Sequence, residues 1–534
     1  MAGTGRMIEV LVDWVAEHAR HRAQDIAVAD LDTGESRTWS QLQARVSRLA
    51  HVLVQRYGVG RGDRVALIAE NGVRVFEVQF ACMRIGAVLV PLNWRLTAPE
   101  LAELVSDADV SVLVHDASWA AVAGELRGYL RTDQTLGWGH ASADQTTGNE
   151  YDTAIETATG QVNGGELDPD AVTHLLYTSG TTGRPKGVLC NNRTLLTQAQ
   201  NLAHRSRMAE RGAHHLNIVP LFHAGGLNVF TNPMLYWGGR VSTVRRFESA
   251  TTLCLLADPE LGVTHLCGVL QNFEWLTDLE AFPGTEFPTL HTVLFGGWGP
   301  SAARIYRAWA QQGIWVQLSY GASELGPNVS VLAGRDPDAA DRGSSGTPLP
   351  QVRIRLVDAE GVDVDPGGVG EIWVAGPGVT PGYWRTPREE VFVDGWFRTG
   401  DVGRFDGAGH LHVVGRVVER YRTGGENVYP AEVEAQLAGV PGVAELAVLG
   451  VPDPKWGETG LVAVVPAGAV PPTLEELRAF AGDRLARFKL PTRLLVLDAL
   501  PRSTTEKISR ARIREIYQKR LAEAAPPAGA VTER

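Results

Sequence analysis

Tyr177-Thr-Ser-Gly-Thr-Thr-Gly-Arg-Pro-Lys-Gly-Val188 is the stretch on which the reading of this chain turns. The apolar run 171–177 leads into it as a buried strand, and a polar helical stretch is expected after it. Glycines and small hydroxyl residues let successive backbone N–H groups wrap an anion. Thr178, Ser179, Thr181 and Thr182 can donate to that anion, Gly180 and Gly183 let the chain turn, and Lys186 can neutralise phosphate charge. The stretch is read as a phosphate loop. It differs from G-x-x-x-x-G-K-[ST], which needs Gly directly before Lys where this chain has Pro185.

On its N-terminal side, helix and strand patterns alternate. Ser40-Gln41-Leu42-Gln43 reads as a capping box opening a helix to residue 57. Strands are expected at 64–69, 88–91 and 110–114, and helices at 73–85 and 99–106. Strands separated by helices imply parallel βαβ units. Residues 7–15 read as an amphipathic helix and the polar 132–170 as a long surface connection.

On the C-terminal side, α/β units continue to about residue 325. Short strands with turns at 352–357, 370–374 and 410–414 then suggest an antiparallel β subdomain. A helix at 430–437, strands at 445–449, 461–465 and 493–497, and a helix at 474–485 make a separate small α+β unit. The expected architecture is α/β: a large N-terminal domain over 1–416 with parallel units and a β subdomain, a small α+β C-terminal domain over 417–521, and a disordered Ala/Pro-rich tail over 522–534.

Composition narrows the function. A chain of 534 residues is too long for one small binding module, and 44% apolar with 21% charged residues is ordinary for a globular protein. Fifty basic against 61 acidic residues give −11, which disfavours a nucleic-acid or anionic-membrane partner. Cys82, Cys190, Cys254 and Cys267 show no CxxC spacing, so neither a disulfide framework nor a zinc cluster is expected. His214-His215 and His410-x-His412 lack a third nearby ligand. With no apolar run near the ~18 residues of a membrane span, a soluble cytoplasmic protein is expected. Only five of the 50 basic residues are lysine, so Lys186 and Lys507 stand out as positions where a compact ammonium is wanted.

The loop resembles that of the adenylate-forming superfamily, which contains acyl-CoA synthetases, peptide-synthetase adenylation domains and luciferases. Four further segments agree in order. Tyr320-Gly-Ala-Ser-Glu324 is similar to YGxTE, Gly395-Trp-Phe-Arg-Thr-Gly-Asp401 to GWxxTGD, Gly424-Gly-Glu-Asn-Val-Tyr-Pro430 to GGENVYP, and Leu500-Pro-Arg-Ser-Thr-Thr-Glu-Lys507 to LPRTxxGK. The resemblance implies an acyl-CoA ligase that uses ATP, Mg²⁺ and coenzyme A, with secondary metabolism as its setting. The alternatives are an enzyme specialised for thioester formation from an adenylate supplied by a partner enzyme, an enzyme loading a carrier protein, and a ligand-binding pseudoenzyme. It also implies roles: Glu324 for Mg²⁺, Tyr320 against adenine, Gly321 and Ser323 beside nucleotide, and Asp401 for the ribose hydroxyls. Arg416 sits at the joint to a mobile small domain, and Val418 and Glu419 in the hinge. Lys507 bridges carboxylate and α-phosphate, and Gly424, Gly425 and Glu426 lie beside the thiol channel. His223 either lines the acyl pocket or is a buried, satisfied histidine. A homodimer is the commonest homo-oligomer and the default expectation.

Three departures from the family pattern stand out. The hinge reads Gly415-Arg416-Val417-Val418-Glu419 instead of GRxKD, Glu506 replaces the Gly before the terminal lysine, and Gly297-Trp298 places an indole where a small residue borders the acyl pocket. Trp298 suits a cyclic carboxylic acid. Glu506 either pairs with Lys507, opposing ATP, or points to solvent.

Overall fold

The computed structural model describes residues 11–139, 150–178, 185–297, 301–334, 337–423, 426–502 and 508–524. The described residues of the first half build two largely parallel sheets. One has the order Lys186–Asn191, Val172–Thr178, Val88–Pro91, Arg64–Ile68, Val110–Asp116, Gln134–Trp138, and only its Lys186–Asn191 edge is antiparallel. The other runs through His265–Val269, Thr292–Gly296 and Trp315–Tyr320 in parallel, with the antiparallel strand Ser330–Gly334 beyond. An antiparallel sheet follows, in which Gly370–Ala375 pairs Trp396–Phe405 and that strand pairs Leu411–Arg416. The last sheet joins Tyr421–Thr423, Val443–Asp453, Gly457–Pro466 and Arg493–Val496.

Local chemistry explains the elements that hold the site. Helix Trp39–Tyr57 buries Leu42, Val46, Leu49 and Leu53 on one stripe and ends at Gly58, which takes the left-handed conformation (φ 63°) that glycine adopts without strain. Its capping box is Thr38 with Gln41, two residues before the expected Ser40, because the hairpin Ile26–Asp30/Ser36–Thr38 delivers Thr38 in extended backbone. The small sheet has apolar cover on both faces: Val433, Leu437 and Leu477 on one, Ile513 with Leu495 on the other.

Four expectations need correction. Of the helix placed at 7–15, residues 7–10 lie outside the described residues; Leu11–Val12 is a strand and the helix is Trp14–His21, with Asp13 as its cap accepting from Ala16 N at 2.9 Å. Residues 132–170 contain the strand Gln134–Trp138 and the helix Glu150–Glu156, whose Tyr151 is buried and donates to Glu77 at 2.9 Å. The phosphate loop is followed by the strand Lys186–Asn191, and helix Asn192–Ser206 starts only after it. Helix Arg510–Ala524 runs into the start of the expected tail, because Ile513 docks it on the small sheet. Among the described residues, no helix is long and apolar enough to cross a membrane.

Candidate active site

Lys186 and Thr178 face one another in the register between their strands, so the two described ends of the expected phosphate loop are held as neighbours. Ser179, Gly180, Thr181, Thr182 and Gly183 lie outside the described residues, as do Trp298, Gly424, Gly425, Glu506 and Lys507. Lys186 is exposed, and its ammonium stands 5.4 Å from the centroid of the Tyr383 ring. The Tyr383 hydroxyl donates to Glu324 Oε1 at 2.7 Å.

Glu324 occupies the 3₁₀ turn Ser323–Leu325 just after strand Trp315–Tyr320. The turn closes against its neighbour through Thr380 N, which donates to the Glu324 carbonyl at 2.8 Å. A Cβ on Gly321 would stand 1.6 Å from the Pro327 carbonyl oxygen, so only glycine lets the chain pass between Tyr320 and this turn. Ser323 and Glu324 are half-buried. Among the described residues no three His, Cys, Asp or Glu side chains gather as a metal site. A divalent ion here would have the second oxygen of Glu324 as its protein ligand and take the rest from phosphate and water. That donor set fits Mg²⁺, which keeps several waters and binds through one or two carboxylates with substrate phosphates.

Asp401 and Arg416 sit directly opposite each other on paired strands. Arg416 Nε donates to Asp401 Oδ1 at 2.7 Å, and the Tyr320 hydroxyl donates to Asp401 Oδ2 at 2.8 Å. The Asp401 side chain is buried (10% exposed) while that of Arg416 is 44% exposed, so the guanidinium keeps a face for a further partner. Burial, then the Asp401 charge and hydrogen bond, hold the Tyr320 phenol well above its usual range, so it stays a donor.

His223 is half-buried, with its ring 4.6 Å from that of Phe222, and Phe222 packs edge-on against Trp94. The adjacent glycines have separate reasons. A Cβ on Gly226 would meet the Pro220 carbonyl oxygen at 2.3 Å, so that glycine serves its own backbone and not a ligand, whereas Gly225 faces nearly open space. Gly297 has φ 97° and is likewise open, its nearest neighbour at 3.9 Å. His214, His215 and His265 are buried beneath this region, with burial holding each at a pKa of about 3 and hence neutral. His412 pairs with Asp406 at 2.9 Å.

In the connection after Arg416, Val417–Glu419 forms one 3₁₀ turn, Val418 is 68% exposed, and Glu419 accepts from Arg510 at 3.3 Å. Arg510 also bonds Glu434 at 2.6 Å and the Val448 carbonyl at 3.0 Å. Glu426 opens the short strand Glu426–Val428 and is exposed. Sequence reasoning missed Tyr383 and Arg510. A Gly-Tyr-Trp triplet at 382–384 and a basic residue three positions past Lys507 were the signals available.

Residues 15–384 match the AMP-binding enzyme family and residues 432–507 the AMP-binding enzyme C-terminal domain. A feruloyl-CoA synthase of Amycolatopsis sp is 36% identical over 517 residues, covering 95% of this chain and 99% of that one. A fatty acid–[acyl-carrier-protein] ligase, ScoC, of Streptomyces coeruleorubidus is 33% identical over 96% of this chain and 97% of its own length. Among solved structures, MatB from Rhodopseudomonas palustris, 29% identical and covering 95% of this chain and 99% of its own, superposes with a TM-score of 0.83 in its ATP-bound form and 0.75 as the apo protein. Ordered motifs and matches over nearly the whole length agree: the chain belongs to the AMP-binding enzyme family and is an adenylate-forming acid–thiol ligase.

Proposed function

We propose that the enzyme converts a cyclic, aromatic carboxylic acid to its CoA thioester. The carboxylate oxygen attacks the α-phosphorus of ATP and pyrophosphate leaves. The CoA thiolate then attacks the acyl carbon of the adenylate, and AMP leaves with the bonding pair. The single observation that carries the reading is the placing of Lys186 and Glu324 on either side of one tyrosine, an ammonium and an acid within one contact of the phosphate loop. An anion attacking a polyanion needs that screening. The aromatic acid is supported by Trp298 and by the feruloyl-CoA synthase relative.

In this reading, Mg²⁺ supplies charge neutralisation at the phosphates when it binds. Glu324 holds it, Lys186 and Thr178 to Gly183 cradle phosphate, and Tyr320, Gly321 and Ser323 line the nucleotide. Asp401, its charge offset by Arg416, accepts from the ribose hydroxyls. His223, Gly297 and Trp298 border the acid. The large domain ends at residue 416 and the small one covers 417–521, each with its own apolar core, so Val418 and Glu419 are the hinge. Lys507 serves adenylation and Gly424, Gly425 and Glu426 serve thiol attack after the small domain has turned. The setting is cytoplasmic, and a homodimer fits.

A second acceptor, a phosphopantetheinyl carrier protein, is favoured by the ScoC relative. One panel decides between them: aromatic, alicyclic and straight-chain acids, with pyrophosphate release, CoA thioester and acylated carrier protein measured separately. The reading expects pyrophosphate and CoA thioester with aromatic acids. Transfer only to the carrier protein would move it to the second acceptor, and ATP binding without pyrophosphate release for any acid would leave a pseudoenzyme.

A further inference from the structure

Tyr383 is fixed by backbone, not by chance packing. Leu189 N donates to the Gly382 carbonyl at 3.1 Å and Trp384 N to the Gly187 carbonyl at 2.8 Å, so residues 382–384 run as a partner to the strand that begins with Lys186. Thr380 adds a third tie, with its hydroxyl on the Leu189 carbonyl at 2.6 Å and its N–H on the Glu324 carbonyl at 2.8 Å. Trp384 is held in turn, its indole N–H donating to the Asp107 carbonyl at 2.9 Å. These bonds bring three distant segments to one ring. Lys186 lies against its face at 5.4 Å from the centroid, and Glu324 accepts from its edge hydroxyl at 2.7 Å.

Packing alone accounts for the ring, which sits against Val188, Cys190 and Phe397. It does not account for the hydroxyl, since phenylalanine would pack equally well and leave no polar atom to satisfy. The hydroxyl takes one lone-pair direction of Glu324 Oε1 and so sets the rotation of the carboxylate.

We propose that Tyr383 is a positioning residue for adenylation: its hydroxyl turns the free oxygen of Glu324 toward the divalent ion, and its ring holds the Lys186 ammonium beside that ion's phosphate ligands. This rests on the assignment of Glu324 to the ion and Lys186 to phosphate. The two functions are separable. Tyr383→Phe removes only the hydroxyl, and Tyr383→Leu removes the ring face as well.

The test is ATP binding by titration calorimetry in the absence of acid, repeated across Mg²⁺ concentrations, with thermal melting as a check on folding. Losing a hydrogen bond to a charged group, Tyr383→Phe should need about tenfold more Mg²⁺ for half-maximal ATP affinity, and at saturating Mg²⁺ its Kd should stay within about twofold of wild type. Tyr383→Leu should weaken ATP several-fold even at saturating Mg²⁺, and adding Lys186→Ala to it should cost little more. Glu324→Gln, in the same titration, should abolish the Mg²⁺ dependence. If Tyr383→Phe titrates with Mg²⁺ like wild type while Glu324→Gln does not, the positioning role is overturned and the metal assignment stands. If Glu324→Gln also titrates like wild type, the metal assignment fails and the role of Tyr383 with it. The Phe variant keeps the half-buried ring, so the result does not depend on whether the Leu variant folds.

Discussion

Glu324 and Asp401 are two carboxylates with the same first partner, a tyrosine hydroxyl at 2.7 and 2.8 Å, and different cations. Arg416 touches Asp401 directly, Nε to Oδ1 at 2.7 Å, whereas the Lys186 ammonium lies against the ring of the tyrosine that bonds Glu324. Contact with a guanidinium offsets most of the charge on Asp401 and leaves an acceptor suited to neutral hydroxyls. Glu324 has no such cation contact among the described residues, and its second oxygen suits a hard cation. In the proposed nucleotide site the two acids are thus distinguished by contact with a cation, not by the kind of acid.

The largest effect should come from Glu324→Gln, which keeps the shape of the side chain and removes its charge. ATP–pyrophosphate exchange should fall about 10²-fold or more, mainly in kcat, because the lost stabilisation belongs to the reacting phosphates. Asp401→Asn should be milder and of another kind, a rise of about tenfold in KM for ATP, since one charge-assisted contact and ribose recognition are affected. Equal losses in kcat for both variants would break the comparison. Arg416→Gln sharpens it: Asp401 then keeps its charge without a contact cation, and ATP binding should become more salt-sensitive than in wild type.

Smaller effects are expected at the proposed hinge. Arg510→Leu frees Glu419 from its link to Glu434 and Val448, and should change adenylation and thioester formation unequally, about fivefold or less, when each half-reaction is followed alone. Similar loss in both would show that Arg510 only supports the small domain. The smallest change is expected for Val418→Lys, because a cation at a 68% exposed position acts through water. On the alternative that Glu506 pairs with Lys507 and slows adenylation, Glu506→Gly should raise pyrophosphate release more than Val418→Lys does. Wild type releasing pyrophosphate as fast as it converts supplied adenylate to thioester would remove any need for a partner enzyme.

Elements with strong local signals were legible to the residue. Helices Val73–Ile85 and Pro430–Leu437 and strand Val88–Pro91 end where glycine, proline or the apolar run says they end. Reading failed where polar residues are buried together. The 132–170 segment looked like solvent-exposed chain, yet Tyr151 and Asp152 are buried in a network with Glu77, Arg45 and Arg74 drawn from distant elements. Asp13 looked like an interruption and is a helix cap that also pairs with Arg84 at 2.6 Å. Both mistakes have one cause: a charge reads as exposed until its partner is known, and the partner is far away in sequence.

The site divides in the same way. Sequence by itself determined the parallel α/β class and pointed to a phosphate loop with one lysine and to acids at 324 and 401, because glycine turns, strand periodicity and residue chemistry are local properties. Only the tertiary structure decided that Asp401 is neutralised by contact and Glu324 is not. It also placed Tyr383, 59 residues from Glu324, between acid and lysine. Which oxygen of a carboxylate is left free depends on side-chain direction, and that is set by strands pairing across long stretches of chain, where no local pattern reaches.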